Sequence, residues 1–211
     1  VETKQEDPPM SPVVKIQTYS ELPENQKQEM YKLRHKVFID RLKWDLDSTD
    51  QLEKDQYDTT EASYALVYIF GELAACWRLI PTNKTYMFVD TFPNLLEGEK
   101  YHSPKIIELS RFAVDKDLAR RVPHVNLMAL LFYHVTEYAL HNQIKEYITL
   151  TTVQVERIVK SLGIPLGRIG NGEVHRIDNT RSVALKIPVG VELKKWFVNA
   201  PIYKHGLDRA S

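Results

Sequence analysis

Ile106-Ile-Glu-Leu-Ser-Arg-Phe112 is the stretch on which the reading of this chain turns, because three polar groups interrupt an otherwise apolar, strand-like run. With a period of two, Glu108 and Ser110 share a face and Arg111 points the other way, unless a bulge re-aims it. Charge inside a sheet is costly unless paired. On residue types alone the stretch reads as an edge strand carrying an exposed ion pair, and a central position would require partners elsewhere in the chain.

Working outward, the expected strand runs from Lys105 to Val114, and Val125 to His141 has the length and apolar stripe of a helix packed on a sheet. Tyr147 to Thr152 reads as a strand, Val153 to Leu162 as a helix and Ser182 to Val189 as a closing strand. Upstream, Ser63 to Phe70 and Leu73 to Ile80 flank Gly71-Glu72, a hairpin signal. Pro23 to Leu42 reads as one helix, with Met30, Leu33 and Val37 on one stripe and Arg34, Phe38 and Arg41 on the next. Lys43 to Thr60 follows neither period and reads as a long loop. Residues 81 to 104 read as irregular with a short helix near Phe92 to Glu97, and the last fifteen or so residues as a peripheral helix and tail. An antiparallel start followed by alternating strands and helices implies an α/β fold, a mixed sheet covered by helices on both faces. The expected organisation is a disordered tail over 1–12, a single domain over 13–198 and a C-terminal tail over 199–211.

The 211 residues are 43% hydrophobic, enough for one substantial core. Lys plus Arg and Asp plus Glu number 28 each, so overall charge calls for neither nucleic acid nor an anionic membrane. No apolar run is long enough to span a bilayer, and Val1 to Pro12 lack the apolar core of a secretory signal, which points to the cytoplasm. The single cysteine, Cys76, sits in an apolar run and reads as a buried structural thiol. No Cys/His spacing suits zinc, so no metal is expected.

Further charged and aromatic residues stand in suggestive contexts. Arg34 shares a helix face with Phe38, Trp44 opens the loop, Asp55 and Asp58 lie three apart, and Arg78 lies in Cys76-Trp-Arg-Leu-Ile80. Taken singly these read as surface arginines, solvated carboxylates and a buried tryptophan. A divalent cation on the aspartate pair would need a third oxygen-rich segment.

Together the residues have a recognisable order. Arg34-x3-Phe38-x5-Trp44-x10-Asp55-x2-Asp58, then Arg78, then Glu108-x-Ser110-Arg111, resembles the signature of LuxI-type acyl-homoserine lactone (autoinducer) synthases. Cys76-Trp-Arg-Leu, Thr91-Phe-Pro-Asn-Leu-Leu96, Glu108-Leu-Ser-Arg-Phe-Ala113 and Thr149-Leu-Thr-Thr152 extend the likeness, which runs from about Val14 to about Pro188. The resemblance implies an N-acetyltransferase-like fold with a cleft between splayed strands. It implies that Arg34, Phe38, Trp44 and Phe92 shape a pocket for S-adenosylmethionine, and that Asp55, Asp58, Arg78 and Arg111 form an ion-pair cluster holding the amino-terminal segment over it. Glu108, with Ser110 and Arg111 beside it, would supply the catalytic group, a general base; Thr149 and Thr152 would border the acyl chain.

The implied reaction moves an acyl group, with Thr149 favouring a 3-oxo-acyl chain, from acyl carrier protein to the amine of S-adenosylmethionine. Lactonisation then releases methylthioadenosine, giving a quorum-sensing signal with no cofactor. Arg157 and Lys160 are the candidates for docking the acidic carrier protein. Two alternatives stand beside this reading: an acetyl-coenzyme A-dependent N-acetyltransferase and a non-catalytic ligand-binding module. No glycine occurs between Gly98 and Gly163, so the glycine-rich turn that cradles a coenzyme's pyrophosphate is missing, which favours a carrier-borne acyl group.

Overall fold

The computed structural model describes residues 11–177 and 179–202; most of both expected tails, residues 1–10 and 203–211, lies outside the described residues. In chain order the elements are β1 (Val13–Thr18), α1 (Glu24–Arg34), a π-helical turn (His35–Arg41), β2 (Ser63–Ile69), β3 (Glu72–Pro81), α2 (Met87–Thr91) and a 3-10 turn (Pro93–Leu96). There follow β4 (Ile106–Val114), α3 (Lys116–Arg121), α4 (Leu127–His141), β5 (Glu146–Thr152), α5 (Val153–Ser161), β6 (Gly167–Arg168), β7 (His175–Ile177), β8 (Thr180–Pro188) and α6 (Val191–Val198).

The strands form one sheet in the order β1-β2-β3-β4-β5-β8-β6, with β7 also on β8. Among the described residues only β4 and β5 pair in parallel, so the expected mixed sheet is found. The quoted stretch is β4, in the middle of the sheet, which overturns the edge-strand reading. Glu108 and Ser110 are buried and Arg111 is partly so, and all three must be answered from within the molecule.

One face packs on α3 to α6 through Leu109, Trp77, Leu131, Phe132, Val159 and Trp196. Trp77 meets Phe132 edge-on at 4.8 Å between ring centroids, an offset geometry that aromatic quadrupoles favour. The other face packs on α1, the π-helical turn and α2 through Met30, Leu33, Phe38, Cys76 and Phe88. Helices therefore cover both faces, the N-acetyltransferase-like arrangement. Cys76 is buried, and burial pushes its thiol up to about 12.

Several local readings need correction. The helix expected over Pro23 to Leu42 widens after Arg34, where the Leu42 N–H donates to the Val37 carbonyl five residues back. π-turns of this kind concentrate at functional sites. The hairpin turns at Phe70-Gly71, not Gly71-Glu72; both residues have positive φ (51° and 81°), as a two-residue turn matching strand twist requires. Short α2 and α3 were missed, and α3 starts where the Asp115 carboxylate accepts the N–H groups of Asp117 and Leu118. β1 is an edge strand next to polar sequence, so its short alternation escaped notice. The short helix expected near Phe92 to Glu97 is the 3-10 turn Pro93–Leu96.

What positions the site is a divergence between β4 and β5. They pair only at Ile106–Glu146, Ile107–Tyr147 and Glu108–Ile148. Beyond Glu108, β4 continues to Val114 and β5 to Thr152 with no further pairing between them. The cause is visible in β4. Register against β3 slips between Cys76–Ala113 and Arg78–Ser110, so Arg111 and Phe112 oppose Trp77 alone, and Arg111 takes φ +58°. A bulge bends its strand and re-aims a side chain. Arg111 consequently joins Glu108 and Ser110 on one face instead of opposing them.

Candidate active site

Arginines from three elements converge beneath the segment 43–60. Arg34 ends α1, Arg78 lies on β3 and Arg111 on the β4 bulge. Arg34 pairs with Glu53 and, at 2.7 Å, with Asp58; Arg78 pairs with Asp55 and, at 3.0 Å, with Asp58. Arg111 reaches Glu53 at 3.1 Å and Asp55 at 2.8 Å. The three guanidinium charges face the three carboxylates of Glu53, Asp55 and Asp58, so the cluster is neutral as a unit. Both Arg34 and Arg78 are 0% exposed, a burial that an unpaired cation would not tolerate.

Local backbone geometry builds the carboxylate side. Asp55 accepts the N–H of Tyr57 at 2.9 Å, and Asp58 accepts the N–H of Asp55 at 2.9 Å and the Tyr64 hydroxyl at 2.6 Å. Burial by itself pushes Asp58 up, but Arg34 and Arg78 outweigh it and hold the carboxyl below the usual range. Asp55 is likewise lowered, with Arg78 and Arg111 overcoming its burial. The aspartate pair therefore serves arginines, and among the described residues no group of three or more His, Cys, Asp or Glu is arranged to hold a metal.

Glu108 sits at the vertex of the diverging strands, 1% exposed. Its Oε2 accepts the Phe88 N–H of α2 at 2.7 Å, while Oε1 has no hydrogen-bond partner. Burial raises its pKa; the Phe88 N–H, the Arg78 charge and the Ser110 hydroxyl pull the other way without cancelling the rise. Ser110 accepts from Arg78 Nε at 3.1 Å, which links the vertex to the ion-pair cluster.

A cleft of about 1420 Å³ opens at the divergence and passes through the sheet. On the α1 side it is walled by Phe38, Trp44, Met87 and Phe92, with the carboxylates of Asp45, Glu53 and Asp55. Phe38 stacks on Trp44 at 5.0 Å and 11°, and the Arg111 guanidinium lies 5.8 Å from the Phe38 ring. On the α4 side the walls are Trp77, Leu109, Met128, Phe132, Val159 and Ile187, all apolar. Single small ligands occupy roughly 300–1,000 Å³. This volume and its two chemically unlike halves suit two substrates meeting at the vertex.

The expected site residues divide by position. Phe38, Trp44, Asp55, Phe92, Ser110, Arg111, Thr149, Thr152 and Arg157 line the cleft. Arg34, Asp58, Arg78 and Glu108 lie behind its wall. Thr149 faces the cleft with no side-chain hydrogen bond to the described residues, whereas the Thr152 hydroxyl caps α5 through the Val155 N–H at 3.3 Å. Lys160 is paired with Glu156 at 2.8 Å, and Glu156 also binds Arg168. Glu53 went unnoticed in the sequence. Its signal was present, since it stands two residues before Asp55, but no residue type distinguishes it from a solvated loop glutamate.

The chain is similar to known proteins over most of its length. The family model described as autoinducer synthase matches residues 18–196. An acyl-homoserine-lactone synthase of Vibrio anguillarum is 40% identical over 186 residues, 87% of this chain and 96% of its own length. The solved structure of the AHL synthase LasI superposes with a TM-score of 0.84 at 31% identity, covering 94% of this chain and 100% of LasI. TofI, solved in a ternary complex with an inhibitor and MTA, gives a TM-score of 0.75 at 29% identity, covering 88% of this chain and 96% of TofI. The chain belongs to the autoinducer synthase family.

The cluster carries a stability consequence. Asp58→Asn leaves Arg34 and Arg78 undercompensated, and the expected loss is on the order of 3–5 kcal/mol at pH 7. Because the folded pKa of Asp58 is depressed, its contribution is complete above the unfolded value of about 3.9 and disappears as pH falls through the folded value. Urea unfolding of wild type and variant from neutral to acid pH checks both, with the difference between the two shrinking in acid. A variant as stable as wild type at pH 7 contradicts the account.

Proposed function

We propose that this chain transfers an acyl group from an acylated carrier protein to the α-amine of S-adenosylmethionine, closes the homoserine lactone and releases methylthioadenosine. The observation that carries this reading is the cleft through the sheet, whose aromatic and acidic half meets its apolar half beside Glu108. A sulfonium cation suits aromatic faces and carboxylates, here Phe38, Trp44, Glu53 and Asp55. The substrate's carboxylate suits a guanidinium, and Arg111 is the arginine of the cluster that lines the cleft. TofI was solved with MTA, the fragment of S-adenosylmethionine left once homoserine lactone departs.

An α-amino group with a pKa of about 7.7–8.0 is mostly protonated at neutral pH, yet it attacks a thioester only when neutral. Glu108 is the base. Its raised pKa makes it a better proton acceptor than an ordinary carboxylate. The oxyanion of the tetrahedral intermediate needs donors, and the backbone of β4 beyond Glu108, unpaired on its β5 side, offers N–H groups to the cleft. Once the amide is formed, the carboxylate oxygen displaces the sulfonium from its own γ-carbon, and that intramolecular step mainly needs positioning.

The donor end favours a carrier protein over free coenzyme A. N-acetyltransferases hold the coenzyme's pyrophosphate at the turn between the acceptor strand and the next helix. In this chain that turn has no glycine, and its helix start is filled by the Asp115 carboxylate, which Lys36 holds at 2.8 Å. A carboxylate at that point repels a pyrophosphate. Arg157, exposed on α5 at the cleft rim, is the residue we assign to the acidic carrier. Lys160 is already paired with Glu156, so its part is smaller.

The purified chain supplied with S-adenosylmethionine and an acylated carrier protein is expected to form methylthioadenosine and acyl-homoserine lactone in equal amounts. Glu108→Gln should lower the rate by about 10²–10⁴-fold in a folded protein. In the same assay, Arg157→Glu and added salt should both raise KM for the acyl carrier and leave that for S-adenosylmethionine unchanged. Absence of lactone, equal rates in the Glu108 variant, or faster turnover with acyl-coenzyme A contradicts the corresponding part of the proposal.

Thr149 sets the expected acyl preference. A 3-oxo group entering the apolar half loses its water, and the unengaged Thr149 hydroxyl at the cleft wall replaces that hydrogen bond, worth about 0.5–1.5 kcal/mol net. Wild type should therefore prefer 3-oxo-acyl chains over unsubstituted ones, and Thr149→Ala should shift the product ratio several-fold toward the latter. Mass spectrometry of products from competing acyl carriers gives the ratio; an unchanged ratio in the variant removes Thr149 from the acyl site.

A further inference from the structure

We infer that Ser110 is the proton relay between the substrate amine in the cleft and the carboxylate of Glu108. The inference rests on the reading of Glu108 as the base and supplies the connection that reading lacks. Glu108 is buried behind the cleft wall, whereas Ser110 lines the cleft on the same face of β4, two residues further on. The base therefore has no direct line to a bound amine, and the hydroxyl does.

At the vertex the uncommitted groups are one acceptor, Glu108 Oε1, and two donors, the Ser110 hydroxyl hydrogen and Arg78 Nη2, of which the hydroxyl is the one that also reaches the cleft. Glu108 Oε2 is occupied by the Phe88 N–H, and Oε1 is buried without a partner. The Ser110 oxygen accepts from Arg78 Nε at 3.1 Å on one of its two lone pairs, which leaves the other for a substrate N–H and its own hydrogen to point elsewhere. A buried acceptor without a donor is unfavourable by about 1–3 kcal/mol, and the adjacent hydroxyl is the group placed to answer it. Arg78 is itself fixed by Asp55 and Asp58, so the ion-pair cluster sets the orientation of the hydroxyl.

In the relay, an ammonium N–H bond of S-adenosylmethionine breaks and its proton passes to Ser110 Oγ as the Ser110 O–H proton passes to Glu108 Oε1. The products are a neutral amine, a regenerated serine hydroxyl and a neutral Glu108. After the thioester carbonyl is attacked, the nitrogen still carries one surplus proton, which passes to the departing thiolate as the C–S bond breaks and leaves amide and thiol. Glu108 then releases the first proton through Ser110 to solvent before the next turnover.

Single-turnover methylthioadenosine release, measured for wild type, Ser110→Ala and Glu108→Gln against pH and in mixtures of light and heavy water, tests the relay. Wild type should give a bowed proton inventory, the mark of more than one proton in flight. Ser110→Ala should lose about 10²-fold in rate, with the acid limb of its pH profile moved toward the ionisation of the free amine and KM for S-adenosylmethionine little changed. A linear wild-type inventory overturns the relay. So does a Ser110→Ala variant whose KM rises while its limiting rate and pH profile stay put, because that pattern assigns the serine to holding Arg78. In either of those cases an inactive Glu108→Gln leaves the base reading standing, whereas an active Glu108→Gln overturns that reading itself.

Discussion

Two guanidinium groups with no exposure to water, those of Arg34 and Arg78, impose the constraint around which the rest of this molecule is arranged. Breaking a buried ion pair by losing one partner is destabilising by several kcal/mol, typically about 3–5. The chain meets the requirement by folding Glu53, Asp55 and Asp58 inward from a segment with no regular structure of its own. That segment also carries Trp44, Asp45 and Asp55 of the cleft wall. Electrostatic satisfaction of the core and construction of the aromatic and acidic half of the cleft are thus one event. Arg111 extends the cluster to the cleft surface, where it touches both the carboxylates and the Phe38 ring.

The second constraint is the bulge in β4. It turns Arg111 onto the face of Glu108 and Ser110, and beyond Glu108 the strand pairs with β3 alone. An unbroken β4–β5 ladder would close the passage between the two halves of the cleft. It would also direct Arg111 toward the apolar layer of Trp77 and Phe132. One irregular residue, at φ +58°, thereby connects the ion-pair cluster, the buried Glu108 at the vertex and the passage through the sheet.

Much of this was legible in the sequence because the periodicities of β2, β3, β4, α4, β5 and α5 are long and clean. The cluster was legible only through the resemblance to the LuxI-type signature, which implied Asp55, Asp58, Arg78 and Arg111 as its members. Two things were not legible. Whether β4 was central or at an edge depends on long-range pairing with β3 and β5, which no local pattern reports. Which charged residues touch the cleft and which stand behind it depends on the inward fold of residues 43–60, so Arg34 was expected at the cleft although it lies in the ion-pair cluster behind it. Glu53 was missed for the same reason: its role is conferred by Arg34 and Arg111 across the fold, not by its neighbours in sequence. The π-turn after Arg34 leaves no mark at all in a helical apolar stripe.

The account's central claim is that residues 53–58 belong energetically to the core although they look like loop. Hydrogen exchange of their backbone amides in the ligand-free protein tests it most directly. The N–H groups of Glu53, Asp55, Tyr57 and Asp58 all donate within the chain, to Tyr31, Asp58, Asp55 and Asp55 respectively. They should exchange on the slow timescale of the central strands, and Arg78→Met should release them while the amides of α4 stay protected. Exchange at the rate of an open loop in the wild-type protein would mean that the cluster forms only when substrate arrives, and would contradict the claim that it prebuilds the site.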